Sequence, residues 1–329
     1  MTNQLELPAQ KLFKAPAFMA SAALLVANIA ISFAAILIKL SEKELGPNAT
    51  IFYRLAIAGV VFGLWKGVLA IRCRLSENQS EQPEPYTRRD IGLLLVVGIF
   101  FLSEQVFWAL SLTQTSAAIS TLLHNLIPLF TSLGLWLLFR QRFDSKFLVG
   151  MVVAIGGAIA IGLEDVQIAS VQVQGDAVSL LSALLAAGYL IASEQLRSKF
   201  STITIVLWAC ASGAGLGLLI TPLVEDRLFP NSWQGWLAVI SLALIAQVIG
   251  QGLLLYSLNW LSSGVVALSN LLIPVLTAIW AWVIFSETLS LSKWLAFAAI
   301  LLGLYLGISS KYAVKTEIST EASERVDVE

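Results

Sequence analysis

Three ionisable residues of this chain stand where such residues are costly. His124, the single histidine, lies in "TLLHNLIPLF" (121–130), Glu104 in "FLSEQVFWAL" (101–110) and Arg54 in "IFYRLAIAGV" (51–60). A carboxyl or imidazole surrounded by apolar residues can take up and release protons, with an affinity set by burial. A guanidinium can hold an anionic group of a small molecule or pair with a carboxylate. Arg54 and Glu104 sit at similar depths in neighbouring apolar runs, so a pair between them is expected; the alternative for Arg54 is a side chain snorkelling to the headgroups.

Uncharged polar residues surround these three. Glu104, Trp108 and Ser111 are spaced four and three apart and share a helical face, with Gln105 beside it. Asn28 and Ser32 share another face, and Ser182, Tyr189 and Ser193 a third. Gln251 and Asn270 are amides in the later runs. These residues either line a cavity or hydrogen-bond between helices. Pro128 follows His124 by four residues and Pro274 follows Asn270 by four. A proline cannot donate to the carbonyl four residues earlier, so each breaks a helix beside a polar side chain. Broken backbone at membrane depth survives only inside protein or along a cavity.

The elements that must position these groups follow from composition. The chain has 329 residues, 57% hydrophobic and 12% charged, and its charges fall in short clusters between long apolar runs. That is the pattern of an integral membrane protein. A helix rising 1.5 Å per residue needs about 20 residues to cross a hydrocarbon core of roughly 30 Å. Ten segments qualify: 17–39, 50–71, 91–112, 116–139, 147–163, 176–196, 202–223, 236–256, 262–285 and 293–309. They show no alternation of period two, so barrel strands are excluded and an all-α fold is expected.

Basic residues accumulate on the cytoplasmic side. With the N-terminus inside, fifteen lie in internal segments and four (Lys39, Lys43, Arg227 and Lys293) in external ones, with Arg54 inside a span. Both termini are therefore expected in the cytoplasm, in the inner or plasma membrane. Trp65, Trp136 and Trp236 are read as interfacial anchors, and Glu194, beside Arg197, as an interfacial carboxylate. The stretch "SENQSEQPEP" (76–85) reads as a polar loop, and the tail 310–329 as disordered.

A net charge of −1 gives no sign of nucleic-acid binding. One histidine and two dissimilar cysteines, Cys73 and Cys210, leave no metal site, no disulfide framework and no cofactor. No G-x-x-x-x-G-K-[ST] sequence is present, which excludes ATP hydrolysis by this chain. The histidine-pair, G-x-S-x-G and aspartate-rich patterns of an intramembrane enzyme are likewise missing, so no enzymatic activity is expected.

The runs also repeat. A shift of 146 residues lays "LIPLFTSLGLWLLFRQ" (126–141) over "LIPVLTAIWAWVIFSE" (272–287), pairs Gln105 with Gln251, and places His124 on Asn270. A shift of 154 places Gly59 and Gly63 on Gly213 and Gly217, spacings that let helices approach closely. Two halves of five spans result. Since five is odd, the second must enter the membrane from the opposite side, giving two inverted five-helix repeats with a substrate site at their interface. The segments are a tail (1–16), a first repeat (17–163), an external linker (164–175), a second repeat (176–309) and the C-terminal tail.

With these motifs the chain resembles the drug/metabolite transporter superfamily, of the EamA type, over essentially all its spans. The features are the arginine of "FYRLA", the proline of "LIPLF" and "LIPVL", "GDAVSLLSALLAAGYL" (175–190) and "FSETLS" (285–290). In that family a glutamate stands thirteen residues after each proline. Glu287 fits, whereas the first half has Gln141 preceded by Arg140 instead of a small residue, which suggests a helix-terminus role. The resemblance implies a ten-span secondary transporter of a small metabolite, such as an amino acid or amphipathic solute, working by alternating access, with export the expected direction. The alternatives are a nucleotide-sugar or sugar-phosphate carrier, an intramembrane lipid enzyme, or a non-transporting membrane protein. The expected partners are the solute and membrane lipid, with proton coupling and a homodimer left open. The expected cavity residues are Asn28, Arg54, Glu104, Gln105, Trp108, His124, Tyr189, Gln251 and Asn270, with Pro128 and Pro274 as helix breaks.

Overall fold

The computed structural model describes residues 15–75, 87–115, 117–164, 173–285 and 290–310. Among these the chain is helical, with no β-strand. Nine helical stretches are long and apolar enough to cross a membrane, and the apolar part of a tenth, Ser145–Ala160, is shorter. This is an all-α membrane protein of ten helical spans.

The first span is α1 (Ala15–Ser32) followed by α2 (Ala34–Ser41), broken at Phe33. The next two are α3 (Pro47–Leu75) and α4 (Arg88–Gln114), each longer than the apolar run that announced it. The fourth is split into α5 (Ala117–His124) and α6 (Ile127–Phe139), and the fifth is α7 (Ser145–Glu164). The second half begins with α8 (Val173–Leu196), whose first turn lies in the stretch read as a linker, and continues with α9 (Thr202–Val224). The eighth span runs α10 (Trp233–Ser241), a π-helical segment (Leu242–Gln251) and α11 (Gly252–Ser257). The ninth is split into α12 (Ser263–Ser269) and α13 (Leu272–Phe285), and α14 (Leu291–Ile308) closes the bundle. Residues 76–86, 311–329 and Glu287 lie outside the described residues.

Serine and threonine start many of these helices by accepting from backbone N–H groups that have no partner within the first turn. Ser201, Ser232, Ser262 and Ser290 do this for α9, α10, α12 and α14, and Thr87 with Asp90 forms a reciprocal capping box on α4. At the far end of α6, Arg140 adopts a left-handed conformation, φ 53°. That conformation favours glycine, which explains why a small residue is expected before position 141.

The packing maps onto itself when the halves are exchanged. The third span lies along the sixth (α4 on α8), as the eighth lies along the first (the π segment and α11 on α1). The second packs on the seventh (α3 on α9) and the fifth on the tenth (α7 on α14), pairs that the exchange leaves in place. Helix interfaces in lipid depend on small side chains, and here an added Cβ at Gly213 would come within 2.7 Å of Leu55, and at Gly157 within 2.8 Å of the Ala296 carbonyl. Leu64, Leu138, Val152, Leu219 and Leu295 are exposed around the outside, as are Trp65, Trp136 and Trp236.

Both ends of the bundle are tied across the halves. At one end Glu44 accepts from the N–H groups of Asn231 and Ser232, each at 2.9 Å, and from the Ser232 hydroxyl. There too, Glu225 accepts from Asn48 N (2.6 Å), Asn48 Nδ2 (2.8 Å) and Ala49 N (3.0 Å). At the other end Lys199 bonds Asp90 across the halves at 2.7 Å, while within the second half Arg197 donates to Asn259 and to the Phe200 carbonyl. Glu194 accepts from Ser263 N and Oγ, at 3.1 and 2.5 Å, and so caps α12. The loop after the first span thus grips the start of the eighth, and the loop after the sixth grips the start of the third.

Two outcomes follow from this packing. A methyl group at Gly303 would meet the Ala154 backbone nitrogen at 2.6 Å, whereas one at Gly156 meets nothing within 4 Å. Gly303→Ala is therefore expected to cost about 1–3 kcal/mol of stability, with Gly156→Ala neutral or slightly stabilising, in thermal unfolding of the purified protein. The Ser232 hydroxyl and N–H hold the Glu44 carboxyl below its usual range. A depressed carboxylate adds stability above its unfolded-state value and loses it as pH falls through the folded one. The melting difference between wild type and Glu44→Gln should be full at neutral pH and close on acidification; a pH-independent difference would assign the loss to geometry alone.

Candidate functional site

The π-helical turn of the eighth span turns Gln247 into the interior, where it is almost completely buried. Its Oε1 accepts from Arg54 Nε at 3.0 Å, and its Nε2 faces Cys210 Sγ at 3.6 Å. Arg54, on the second turn of α3, is 5% exposed. Its Nη1 donates to Gln105 Oε1 at 3.4 Å, and Gln105 Nε2 donates to Glu104 Oε2 at 3.0 Å. The other Glu104 oxygen faces His124 Nε2 at 3.5 Å. His124 Nδ1 meets Ser182 Oγ at 2.8 Å, and that hydroxyl also lies 2.8 Å from the Ser179 carbonyl. One continuous polar chain therefore runs from α9 through the eighth, second, third and fourth spans to α8.

This revises the expected Arg54–Glu104 pair. The two do not touch: Gln105 stands between the carboxylate and Arg54, and the Glu104 oxygen not bonded to Gln105 faces the His124 imidazole. Nor does Arg54 snorkel, since its head is enclosed by two glutamines. Trp108, one turn beyond Glu104, lies against the His124 ring with centroids 5.5 Å apart. Tyr189 packs on Phe101 at 4.9 Å.

The helix breaks position the remaining polar groups. Pro128 is the second residue of α6 and Pro274 the third of α13, places in a first turn where a missing N–H costs nothing. In the second half the carbonyl of Asn270 is not left free as the proline spacing suggested: Ile273 N donates to it at 3.0 Å, closing a tighter turn. Asn28 Nδ2 donates to the carbonyl and hydroxyl of Ser269, at 3.2 and 3.1 Å. Under the 154-residue shift Asn28 falls on Ser182, so the Asn28–Ser269 and Ser182–His124 contacts are counterparts by span, one position apart on the fourth span of each half. Each joins the first span of one half to the broken fourth span of the other. At the break of the first span, Thr277 Oγ1 donates to the Ser32 carbonyl at 3.2 Å and Trp280 Nε1 to the Ser32 hydroxyl at 2.9 Å.

Four of the expected residues carry buried polar atoms without a hydrogen-bond partner: Asn28 Oδ1, Trp108 Nε1, Gln251 Oε1 and Asn270 Oδ1. A buried unpaired polar group costs about 1–3 kcal/mol. Asn28 donates to a carbonyl, which fixes its amide so that Oδ1 is the atom left over. Arg54, Glu104, Gln105, Trp108 and His124 thus form one group, Asn28 and Asn270 a second beside Ser269, and Gln251 lies one turn past Gln247 on the eighth span.

Gln247 and Cys210 were not among the expected residues. The 146-residue shift places Gln247 on Phe101, so the repeat is silent about it; its spacing of four from Gln251 was the available signal.

The model of the EamA-like transporter family matches residues 18–163 and again 173–309. The pseudopaline exporter CntI of Pseudomonas aeruginosa is 26% identical over 202 residues, 61% of this chain and 69% of the relative. An uncharacterized transporter of Archaeoglobus fulgidus is 24% identical over 279 residues, 83% of this chain and 93% of the relative. A solved crystal structure superposes with a TM-score of 0.72 at 19% identity, over 88% of this chain and 96% of that one, a likeness of fold.

The network predicts strong coupling between Glu104 and His124. His124→Phe keeps an aromatic ring against Trp108 but leaves the carboxylate without its partner, and should lower stability by about 1–3 kcal/mol. Adding Glu104→Leu should recover part of that loss, with a coupling of about 1 kcal/mol in the double-mutant cycle. Additive losses in thermal melts would show that the two side chains do not interact.

Proposed function

The chain belongs to the EamA-like transporter family, and we propose that it is a secondary transporter that exports a small metabolite by alternating access of a central site between its two halves. The observation that carries this reading is the bond from Arg54, deep in the first half, to Gln247 of the second. Charged and polar groups at membrane depth are costly unless they face a cavity or one another. Here they gather where the halves meet, next to unpaired buried amides. The name of the pseudopaline exporter supports the outward direction. The site residues are Asn28, Arg54, Glu104, Gln105, Trp108, His124, Tyr189, Gln251 and Asn270, with Pro128 and Pro274 allowing the breaks. An amino acid or a similar amphipathic solute suits a site with one cation and several amides. We place the protein in the plasma membrane with both termini cytoplasmic, on the distribution of basic residues.

Proton coupling belongs to the same reading, because Glu104 and His124 are two buried titratable groups 3.5 Å apart that can take up and release a proton. The test compares metabolites inside and outside cells with and without the gene, then measures flux of the identified solute into proteoliposomes. A pH gradient should drive uptake by the wild type. Glu104→Gln should lose at least about tenfold of gradient-driven flux, the effect of about 1.4 kcal/mol, while keeping solute exchange at equal pH. Equal loss of both would place Glu104 in solute binding and not in coupling.

A further inference from the structure

Both glutamines around Arg54 have fixed amides. Arg54 Nε can only donate, so the group 3.0 Å from it on Gln247 is the carbonyl oxygen. Gln105 is constrained at both ends, with its oxygen toward Arg54 Nη1 and its nitrogen toward the Glu104 carboxylate. A guanidinium has five N–H donors, and these two bonds engage two of them. They aim the group without neutralising it. No carboxylate stands within ion-pair distance of Arg54 among the described residues, and the one in the network, Glu104, acts on Arg54 only at one remove, through Gln105. A buried charge demands a counter-charge, and glutamine at 247 leaves that place unfilled where glutamate, of nearly the same shape, would fill it permanently.

We propose that Gln247 is a specificity-determining residue that orients Arg54 through a neutral amide and so reserves the guanidinium for an anionic group, carboxylate or phosphate, on the transported solute. This rests on the transporter reading. It adds that the solute is an acid, and that one uncharged residue of the second half decides this. A planar guanidinium fork matches both carboxylate and phosphate oxygens. The solute's anion would compete with Glu104 for the same cation through Gln105, so loading would loosen the tie between Arg54 and the third span.

The test uses the full chain as wild type, Gln247→Glu and Gln247→Met. Released metabolites from cells expressing each are identified by mass spectrometry and sorted by carboxylate, phosphate or no anionic group. Melting temperatures of the purified proteins are measured alongside. Gln247→Glu gains an ion pair, so it should melt at or above the wild type while release of acidic solutes falls at least about tenfold, the equivalent of one charge-assisted bond. Gln247→Met leaves the charge of Arg54 free, so it should melt lower yet retain more release than Gln247→Glu. A glutamine with a merely structural role cannot give a firmer protein that transports worse. Wild-type release confined to solutes without an anionic group would overturn the proposal while leaving the transporter reading intact. So would undiminished acid release by Gln247→Glu, or its failure to fold, since an uncompensated cation accepts a carboxylate at that distance. The carboxylate and phosphate fractions separate the two sources of the anion. If the wild type releases nothing, the transporter reading falls and this one with it.

Discussion

The constraint on which the rest of this structure depends is the burial of one guanidinium. Arg54 is enclosed among the helices, 5% exposed, and its neighbours must supply what water would. The π-helical turn of the eighth span brings Gln247 to it, and the third span brings Gln105 and, behind it, Glu104. Glu104 in turn needs a partner, which the broken fourth span provides as His124. Two of the irregular elements, the π turn of the eighth span and the break of the fourth, therefore occur where this chain of polar groups has to be completed. Irregular helices cost backbone hydrogen bonds, and the Thr277 bond to the Ser32 carbonyl shows one such loss being made good by a neighbouring span.

Exchange of the halves organises what surrounds that core. The second span meets the seventh and the fifth meets the tenth across glycines that admit close backbone approach, while the first and sixth spans cross to the opposite half. Each crossing is marked by a polar contact near a helix break, Asn28 with Ser269 on one side and Ser182 with His124 on the other. The symmetry is one of placement. The chemistry at equivalent places differs, since an imidazole occupies in the first half what an amide occupies in the second.

Much of the architecture was legible in the sequence, because lipid is an unforgiving solvent. Ten apolar runs, the small-residue spacings and the two proline motifs each reflect a constraint that acts within a single helix, and they predict the spans and the breaks at 125–126 and 270–271. The residues gathered around Arg54 were legible in part. Arg54, Glu104 and His124 stand out because charge is rare in such runs, whereas Gln247 is an ordinary polar residue whose place depends on a π turn that no local pattern announces. The Arg54–Glu104 pairing failed for a related reason: depth along two helices can be read from spacing, but rotation about their axes cannot, and Gln105 fills the gap between them.

The distribution of charge between the halves bears on how they could move. In the interior the first half contributes Arg54, Glu104 and His124, and the contacts described from the second half are neutral: Gln247, Ser182 and Ser269. The Glu104–His124 contact lies entirely within the first half and can travel with it as a unit. The bond that crosses the interface at Arg54 joins a charge to a neutral amide, worth about 1.5–3 kcal/mol, so the halves can separate there without pulling two opposite charges apart. At the membrane faces charged side chains also reach across, Glu44 and Glu225 to neutral partners and Lys199 to Asp90 in an ion pair, where water can replace the partners. The ion pair across the interface therefore sits where solvent makes it reversible.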